Sequence, residues 1–223
     1  MLEHLNTLPD YQGKIAAFTS WDCFPAIINT NRNGILVNSG IAPYEGDPAN
    51  KVHALLNEMT GQLPYEGTTR PDAITFHHAF EYLKTNRPRV LYISFDETDH
   101  FAHGGEYDLY LKSATYTDGF LKQLWDWAQS DPDYAGNTTM IVTCDHGRGP
   151  AAGGMWQHHG RKVEGADQIW MAVIGPDVAP AGERKSEEQA YQNQIAATIA
   201  KLLGTGFSPE GKETGKPIET VFK

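Results

Sequence analysis

Two clusters of acidic residues and histidines contain the side chains of this sequence that could do chemistry. The first runs from Asp96 to His103 and the second from Cys144 to Gly149. Each directly follows a short apolar run, Val90–Phe95 in one case and Thr138–Thr143 in the other, which we interpret as buried strands. Folds with an α/β sheet bind ligands at the carboxyl ends of their strands, so the two clusters predict one site.

The composition of the clusters predicts a centre with two metals. Asp99 and His103 offer a carboxylate and an imidazole four residues apart, on a stretch that we expect to be a loop. Asp145-His146 is a second such pair, and His158-His159 offers a further imidazole. Such oxygen and nitrogen ligands suit Zn²⁺, Mn²⁺ and similar ions, and the set exceeds the needs of one tetrahedral ion. The alternative is that these are ordinary polar loop residues.

Strands that alternate with helices position the clusters. Helices are predicted over Pro48–Met59 and Asp72–Thr85, because apolar residues recur there at helical spacing. The same spacing from Tyr110 to Ala128 marks one face of a long helix that is predicted to end near Ser130-Asp131-Pro132. A third strand is predicted over Gln168–Ile174 and a last helix over Ser186–Leu203. This order predicts the α/β class, with a largely parallel sheet and flanking helices.

Composition limits the class of protein further. The 223 residues carry a formal net charge of -10, which argues against nucleic-acid binding because such binding needs clustered Lys and Arg. No apolar run is long enough to span a membrane. Two cysteines, Cys23 and Cys144, are too few for a disulfide framework. We expect a single domain over residues 1–223, in which residues 204–223 form a loosely packed tail.

The order of the motifs resembles the alkaline phosphatase superfamily. It consists of a strand, Asp-x-x-x-His, a long helix, a strand, Asp-His-Gly, a Gly-rich loop, His-Gly and a strand that ends in Gly-Pro. The resemblance spans about Leu2 to Leu203 and is most specific between Phe95 and Pro176. It points to two branches of the superfamily, the nucleotide pyrophosphatase/phosphodiesterase-like branch and the phosphoglycerate-mutase-like branch. It implies an alkaline phosphatase-like fold and leaves localisation open, with an extracytoplasmic protein as one option.

The resemblance also implies two divalent metals, Zn²⁺ first and Mn²⁺ as the alternative. The matching ligands are Asp99, His103 and either His158 or His159 for the first metal, and Asp145 and His146 for the second. We prefer His159 to His158, because Gly160 follows it as the family's His-Gly pattern requires. Arg148 and Arg161 flank these ligands and are candidates to bind substrate phosphate through a bidentate guanidinium, the alternative being solvent-facing loop arginines.

The sequence departs from the family pattern near its beginning. Members open with a strand that carries an Asp ligand of the second metal, and a helix that presents a Ser or Thr nucleophile follows. Leu2–Phe18 resembles the segment after that nucleophile, so we expect a C-terminal portion whose sheet lacks the first strand. Thr19 and Ser20, at the end of a predicted strand over Lys14–Thr19, are the nucleophile candidates that remain.

The resemblance and this departure together define the expected function. The intact protein would be a metal-dependent hydrolase or transferase of the phosphatase or phosphodiesterase type, with a small-molecule phosphoester substrate. We expect this chain to be inactive by itself, to hold at most one metal well, and to self-associate through an exposed sheet edge. The alternatives are a sulfatase-like hydrolase, although Cys23-Phe24-Pro25-Ala26 lacks the Ser and Arg of Cys-x-Pro-Ser-Arg, and a non-catalytic metal-binding or structural fragment. His77-His78 is expected at the surface or in a cap.

Overall fold

The computed structural model describes residues 1–64, 67–184, 189–209 and 214–223. Within these ranges the chain forms two compact units, Met1–Leu121 and Lys122–Lys223. A single domain over residues 1–223 with a loosely packed tail stays a prediction, and residues 210–213 of that tail lie outside the described ranges. No helix within these ranges combines the length and the apolar character needed to cross a membrane.

A parallel sheet of three strands forms the centre of the first unit. Its strands are β1 (Ile15–Thr19), β2 (Leu36–Ser39) and β3 (Val90–Ser94), in the order β2-β1-β3. All five residues of β1 are buried, as expected of an apolar strand with neighbours on both sides. This sheet and its helices confirm the predicted α/β class. Self-association through an edge strand stays a prediction.

Helices flank this sheet and set the positions of the loops at its strand ends. They are α1 (Leu2–Asn6), α2 (Phe24–Ile28), α3 (Thr30–Asn33), α4 (Lys51–Gln62), α5 (Asp72–Asn86) and α6 (Glu97–His103), followed by α7 (Tyr107–Ser130), which begins in the first unit and ends in the second. The end of α5 has a local cause: Arg87 takes a left-handed backbone (φ 52) and Pro88 follows, which excludes a further helical turn.

The core of the first unit contains aromatic rings between the sheet and α5. Phe18 of β1 lies 5.3 Å from Tyr82 of α5 and 6.1 Å from Tyr44, measured between ring centroids. Ala16 and Ala79 fill the remaining space of this cluster and are fully buried. Small residues beside large ones let the rings interdigitate, which is how cores reach close packing.

A histidine pair is buried next to this core, contrary to the surface or capping role predicted for His78, whereas His77 is exposed as predicted. The Nδ1 atoms of His78 and His53 lie 2.8 Å apart, both residues are buried, and the ring of Tyr44 stacks on His53 at 3.9 Å. Burial, together with the neighbouring Arg70 and histidines, lowers the pKa of His78 to about 3. The pair is therefore neutral at physiological pH, and one ring nitrogen donates a hydrogen bond to the other.

The second unit contains the remaining strands. The strands β4 (Met140–Thr143) and β5 (Met171–Ile174) pair antiparallel, with Met140 opposite Ile174. The last helix, α8 (Ile195–Leu202), follows a short 3-10 turn at Gln192–Gln194. It is shorter than the predicted helix over Ser186–Leu203, of which residues 186–188 lie outside the described ranges.

Candidate metal-binding site

Asp99 and His103 lie on α6, which corrects the prediction that this stretch is a loop. Residues four apart occupy the same face of a helix, and here Nε2 of His103 is 3.4 Å from Oδ2 of Asp99. The first turn of this helix contains Glu97 and Asp99 and its last turn contains His100 and His103, an order that agrees with the helix dipole. The side chains of Asp99 and His103 are 36% and 44% exposed, so both are accessible to an ion.

A cavity of about 400 Å³ lies beside this face of α6. Asp99 and His103 line it, and Asp96 and Trp21 form other parts of its wall. Trp21 is 47% exposed although it is a large apolar side chain. A cavity of this volume suits a small-molecule ligand, with the carboxylate and imidazole groups at one wall.

In the second unit, the imidazoles of His146 and His159 come together after β4, and Asp145 precedes His146 in sequence. The imidazole rings of His146 and His159 stack with centroids 3.7 Å apart, and Nε2 of His146 is 3.6 Å from Oδ1 of Asp145. The side chain of Asp145 is 85% exposed. His159 is half-buried, whereas His158 is exposed. The structure thus places His159 beside His146, whereas Asp145 lies next to His146 with its side chain largely in solvent.

Glycines explain why the loop after β4 has this shape. The amide N–H of Gly147 donates to the carbonyl of Ala166 at 2.9 Å, and that of Gly149 donates to the carbonyl of His158 at 3.1 Å. A Cβ atom on Gly147 would collide with the carbonyl oxygens of Gly165 and Gln168. The Asp-His-Gly motif therefore needs its glycine for a close backbone approach to the Gly165–Gln168 segment, and the amide of Gly149 connects the loop to His158.

The two arginines proposed for substrate binding differ in their surroundings. Arg148 is half-buried, and its Nη1 donates to the carbonyl of Gln157 at 3.3 Å. Arg161 is exposed. The side chain of Arg148 is thus held by the loop that follows β4, whereas that of Arg161 faces solvent.

The two nucleophile candidates are both fully buried. The Oγ1 of Thr19 donates to the carbonyl of Trp21 at 3.0 Å. The Oγ of Ser20 donates to Oδ1 of Asp72 at 2.6 Å and lies 2.8 Å from Oγ1 of Thr75. These hydroxyls are occupied by structural hydrogen bonds and are not accessible to a substrate.

No role is predicted from the sequence for Arg70, for Asp72 or for Glu97, the first residue of α6. Arg70 and Asp72 are buried, and burial lowers the pKa of Arg70 to about 10. Burial raises the pKa of the Asp72 carboxyl, although hydrogen bonds from Ser20 and from the amides of Asp96 and Glu97 act to lower it. The pKa of Glu97 is raised to about 7, mainly by burial and to a smaller extent by the nearby Asp72 charge. The available signal was the Arg70-Pro71-Asp72 sequence at the start of a helix, where charged residues normally face solvent.

The chain thus combines an α/β fold with a carboxylate and imidazole pair after β3 and another after β4. A family model described as Sulfatase matches residues 42–205, about three quarters of the chain. The chain belongs to the Sulfatase family, which is part of the alkaline phosphatase superfamily. Members of the superfamily use divalent metals.

Comparison with solved structures supports the fold. The chain is similar to crystal structures of phosphoglycerate mutase from Leishmania mexicana at low cobalt concentration, with a TM-score of 0.56 and 19% sequence identity. The similarity covers 96% of this chain and 38% of the mutase chain. This chain thus spans less than two fifths of the length of that protein. A search of curated proteins gives no significant match.

Proposed function

We propose that this chain takes part in the metal-dependent hydrolysis or transfer of phosphoric esters, as a phosphatase or phosphodiesterase. The observation that carries this proposal is a carboxylate and imidazole pair after a strand in each unit. These pairs are Asp99 with His103 after β3, and Asp145 with His146 after β4. Membership of a superfamily that uses divalent metals supports the same reading.

The donor atoms of these residues fit divalent transition metals. We assign Asp99, His103 and His159 to a first ion, with His158 as the alternative to His159, and Asp145 and His146 to a second ion. Carboxylate oxygen and imidazole nitrogen suit Zn²⁺ and Mn²⁺. The fold relative from Leishmania mexicana was crystallised with cobalt, which supports Co²⁺ as a spectroscopic probe. We propose that this chain alone holds at most one ion well, because the second set offers only two side chains.

When bound, a divalent ion at such a site acts as a Lewis acid on a phosphoryl oxygen. The protein residues hold that ion and orient the ester. We propose that Arg148 binds phosphate oxygens, because its side chain is already held by the carbonyl of Gln157, and that exposed Arg161 is the alternative. The cavity beside Asp99 and Trp21 would receive the organic part of a small ester.

We further propose that these 223 residues by themselves turn over esters slowly. Thr19 and Ser20 are buried in structural hydrogen bonds, so neither is assigned as the nucleophile. We expect the rate to be about a thousandfold lower than that of a longer chain that also supplies an activated hydroxyl. This ratio corresponds to a loss of roughly 4 kcal/mol in transition-state stabilisation.

Sulfate-ester hydrolysis is the second candidate function, because the family model that matches the chain is that of the sulfatases. Sulfate and phosphate esters share a tetrahedral centre, so one set of ligands could serve both. Against this candidate, Ala26 and Ile27 stand where the motif Cys-x-Pro-Ser-Arg has Ser and Arg. Burial also raises the pKa of the Cys23 thiol, which opposes its use as a nucleophile.

The relative affinities for inorganic phosphate and for sulfate distinguish these two functions. The chain is loaded with Zn²⁺ or Mn²⁺ and titrated calorimetrically, once with inorganic phosphate and once with sulfate. A parallel assay follows the hydrolysis of p-nitrophenyl phosphate, of its diester and of p-nitrophenyl sulfate. We expect phosphate to bind at least about tenfold more tightly than sulfate, a difference of about 1.4 kcal/mol. Asp99→Asn should abolish binding, and His100→Ala, on the same helix, should retain it. Tighter sulfate binding would favour the second candidate, and no metal-dependent binding of either anion would contradict both.

A further inference from the structure

A buried polar cluster joins the carboxyl ends of the three parallel strands in the first unit. We call it the Asp72 cluster, and its members are Ser20, Asn38, Arg70, Asp72 and Thr75. Each of these residues is 4% exposed or less. Ser20 directly follows β1, Asn38 belongs to β2, and Asp72 contacts the segment after β3. Buried polar groups of this kind are stable only when they are hydrogen bonded to one another.

One side of the cluster attaches Arg70 to β2. The Nη1 of Arg70 donates to Oδ1 of Asn38 at 2.7 Å, and its Nη2 donates to the carbonyl of Asn38 at 3.3 Å. Its Nε donates to Oγ1 of Thr75 at 2.8 Å, and this hydroxyl is 2.8 Å from Oγ of Ser20. The guanidinium is thus satisfied by neutral acceptors, and its charge lies in the same buried cluster as the Asp72 carboxylate.

The other side of the cluster reaches the start of α6. The Oδ1 of Asp72 accepts from the amide N–H of Asp96 at 2.8 Å, and Oδ2 accepts from that of Glu97 at 3.0 Å. Amides in the first turn of a helix have no partner within the helix. Asp72 supplies that partner from α5, so a distant carboxylate caps the helix that carries Asp99 and His103.

We propose that Asp72 is a positioning residue for the metal ligands Asp99 and His103, an inference that rests on the proposed function. Its two oxygens hold the two amides at the start of α6, while Ser20 holds the carboxylate in place from the end of β1. Because α6 is only about two turns long, its direction depends on how its first turn is fixed. Asp72 thereby sets where the ligand pair lies relative to β3 and the cavity.

A matched pair of variants separates positioning from general stabilisation. Asp72→Asn replaces one acceptor oxygen by an N–H group that faces a donor, and so disturbs the start of α6. Thr75→Val has nearly the same shape as the wild type and removes hydrogen bonds to Ser20 and Arg70 in the same cluster, without contact to Asp96 or Glu97. Both changes weaken the cluster, but only the first changes the cap.

Two measurements test the proposal on the full chain. Amide hydrogen exchange at Asp96 and Glu97 should accelerate at least about tenfold in Asp72→Asn and stay near wild type in Thr75→Val. The affinity for Co²⁺, measured by visible absorption, should fall by about 10- to 100-fold in Asp72→Asn and by less than about twofold in Thr75→Val. The first value is typical of substitutions at residues that hold a metal ligand in position. In the wild type, both amides should be protected from exchange.

Each contrary result has a distinct meaning. Unprotected amides at Asp96 and Glu97 in the wild type overturn the proposal, even if the Asp72→Asn chain fails to fold. Equal Co²⁺ affinity in the wild type and in folded Asp72→Asn overturns the positioning role and leaves the proposed function standing. A wild-type chain that binds no Co²⁺ overturns the proposed function, and the positioning role with it.

Discussion

The imidazole rings of His146 and His159 stack nearly in parallel, with 3.7 Å between their centroids and 11° between their planes. They belong to separate segments of the second unit, the loop after β4 and the Gly-rich stretch beyond the 3-10 turn at Ala152–Gln157. The carbonyl of His158 and the amide of Gly149 connect these segments through a hydrogen bond. A backbone hydrogen bond therefore keeps the two segments that carry these imidazoles next to each other.

This arrangement predicts different effects for the two neighbouring histidines. His159→Ala should weaken Co²⁺ or Zn²⁺ binding at least about tenfold, because it removes a ligand held against His146, while His158→Ala should change affinity less than about twofold. Calorimetric titration of both variants measures this. A larger loss in His158→Ala than in His159→Ala would show that the exposed histidine is the ligand.

The close packing of Gly147 makes a second prediction. In Gly147→Ala the new methyl group meets the carbonyl oxygens of Gly165 and Gln168, so the loop must shift. We expect a loss of about 1 to 3 kcal/mol in the free energy of unfolding, measured with urea, as for other overpacked sites.

Gly61 is the matched control for Gly147, because it lies inside α4 with no atom near the position of a new Cβ. Gly61→Ala should raise the free energy of unfolding by about 0.5 to 1 kcal/mol, since alanine favours the helix. Equal effects of the two substitutions would refute the close approach at Gly147.

The buried His53 and His78 pair predicts a pH dependence of stability. The pKa of His78 is about 3 in the folded chain, well below the ordinary histidine value of 6.5. Between these values the unfolded chain binds a proton that the folded chain does not. The contribution of His78 to stability is therefore complete above about pH 6.5 and is lost as the pH falls toward 3, with a slope of about 1.4 kcal/mol per pH unit.

His78→Asn tests this dependence, because an amide can replace the Nδ1–H donor without a titratable group. Urea unfolding between pH 4 and 7 should show a smaller pH slope for the variant than for the wild type. Parallel slopes in the two proteins would mean that His78 titrates normally or does not govern acid stability.

The sequence located the main elements and the Asp and His clusters because these are local signals. The apolar runs at β1, β3 and β4 were predicted from composition, and α5 was predicted to within one residue of its end. β2 was too short to assign, since four residues give little periodicity, and it becomes a strand by pairing with β1. The antiparallel direction of β5 depends on the path of the long segment after β4, which contains no periodic pattern.

The errors at α6 and at His78 have a common cause, which is contact between distant residues. The prediction of a loop over Asp99–His103 relied on Gly104-Gly105, which allow a sharp turn, whereas Asp72 caps a helix there from 24 residues away. His78 was expected at the surface because only one apolar stripe of α5 was counted. Sequence periodicity does not show that α5 is buried on more than one face.

The most direct test of the account is a calorimetric titration of the metal-free chain with Zn²⁺ and with Mn²⁺. The account predicts saturable binding of about one ion per chain. It also predicts at least about tenfold weaker binding in Asp99→Ala and in His103→Ala, with binding retained in His100→Ala. Occupancy below about 0.2 ion per chain with Zn²⁺ supplied, or unchanged affinity in both Asp99→Ala and His103→Ala, would contradict it.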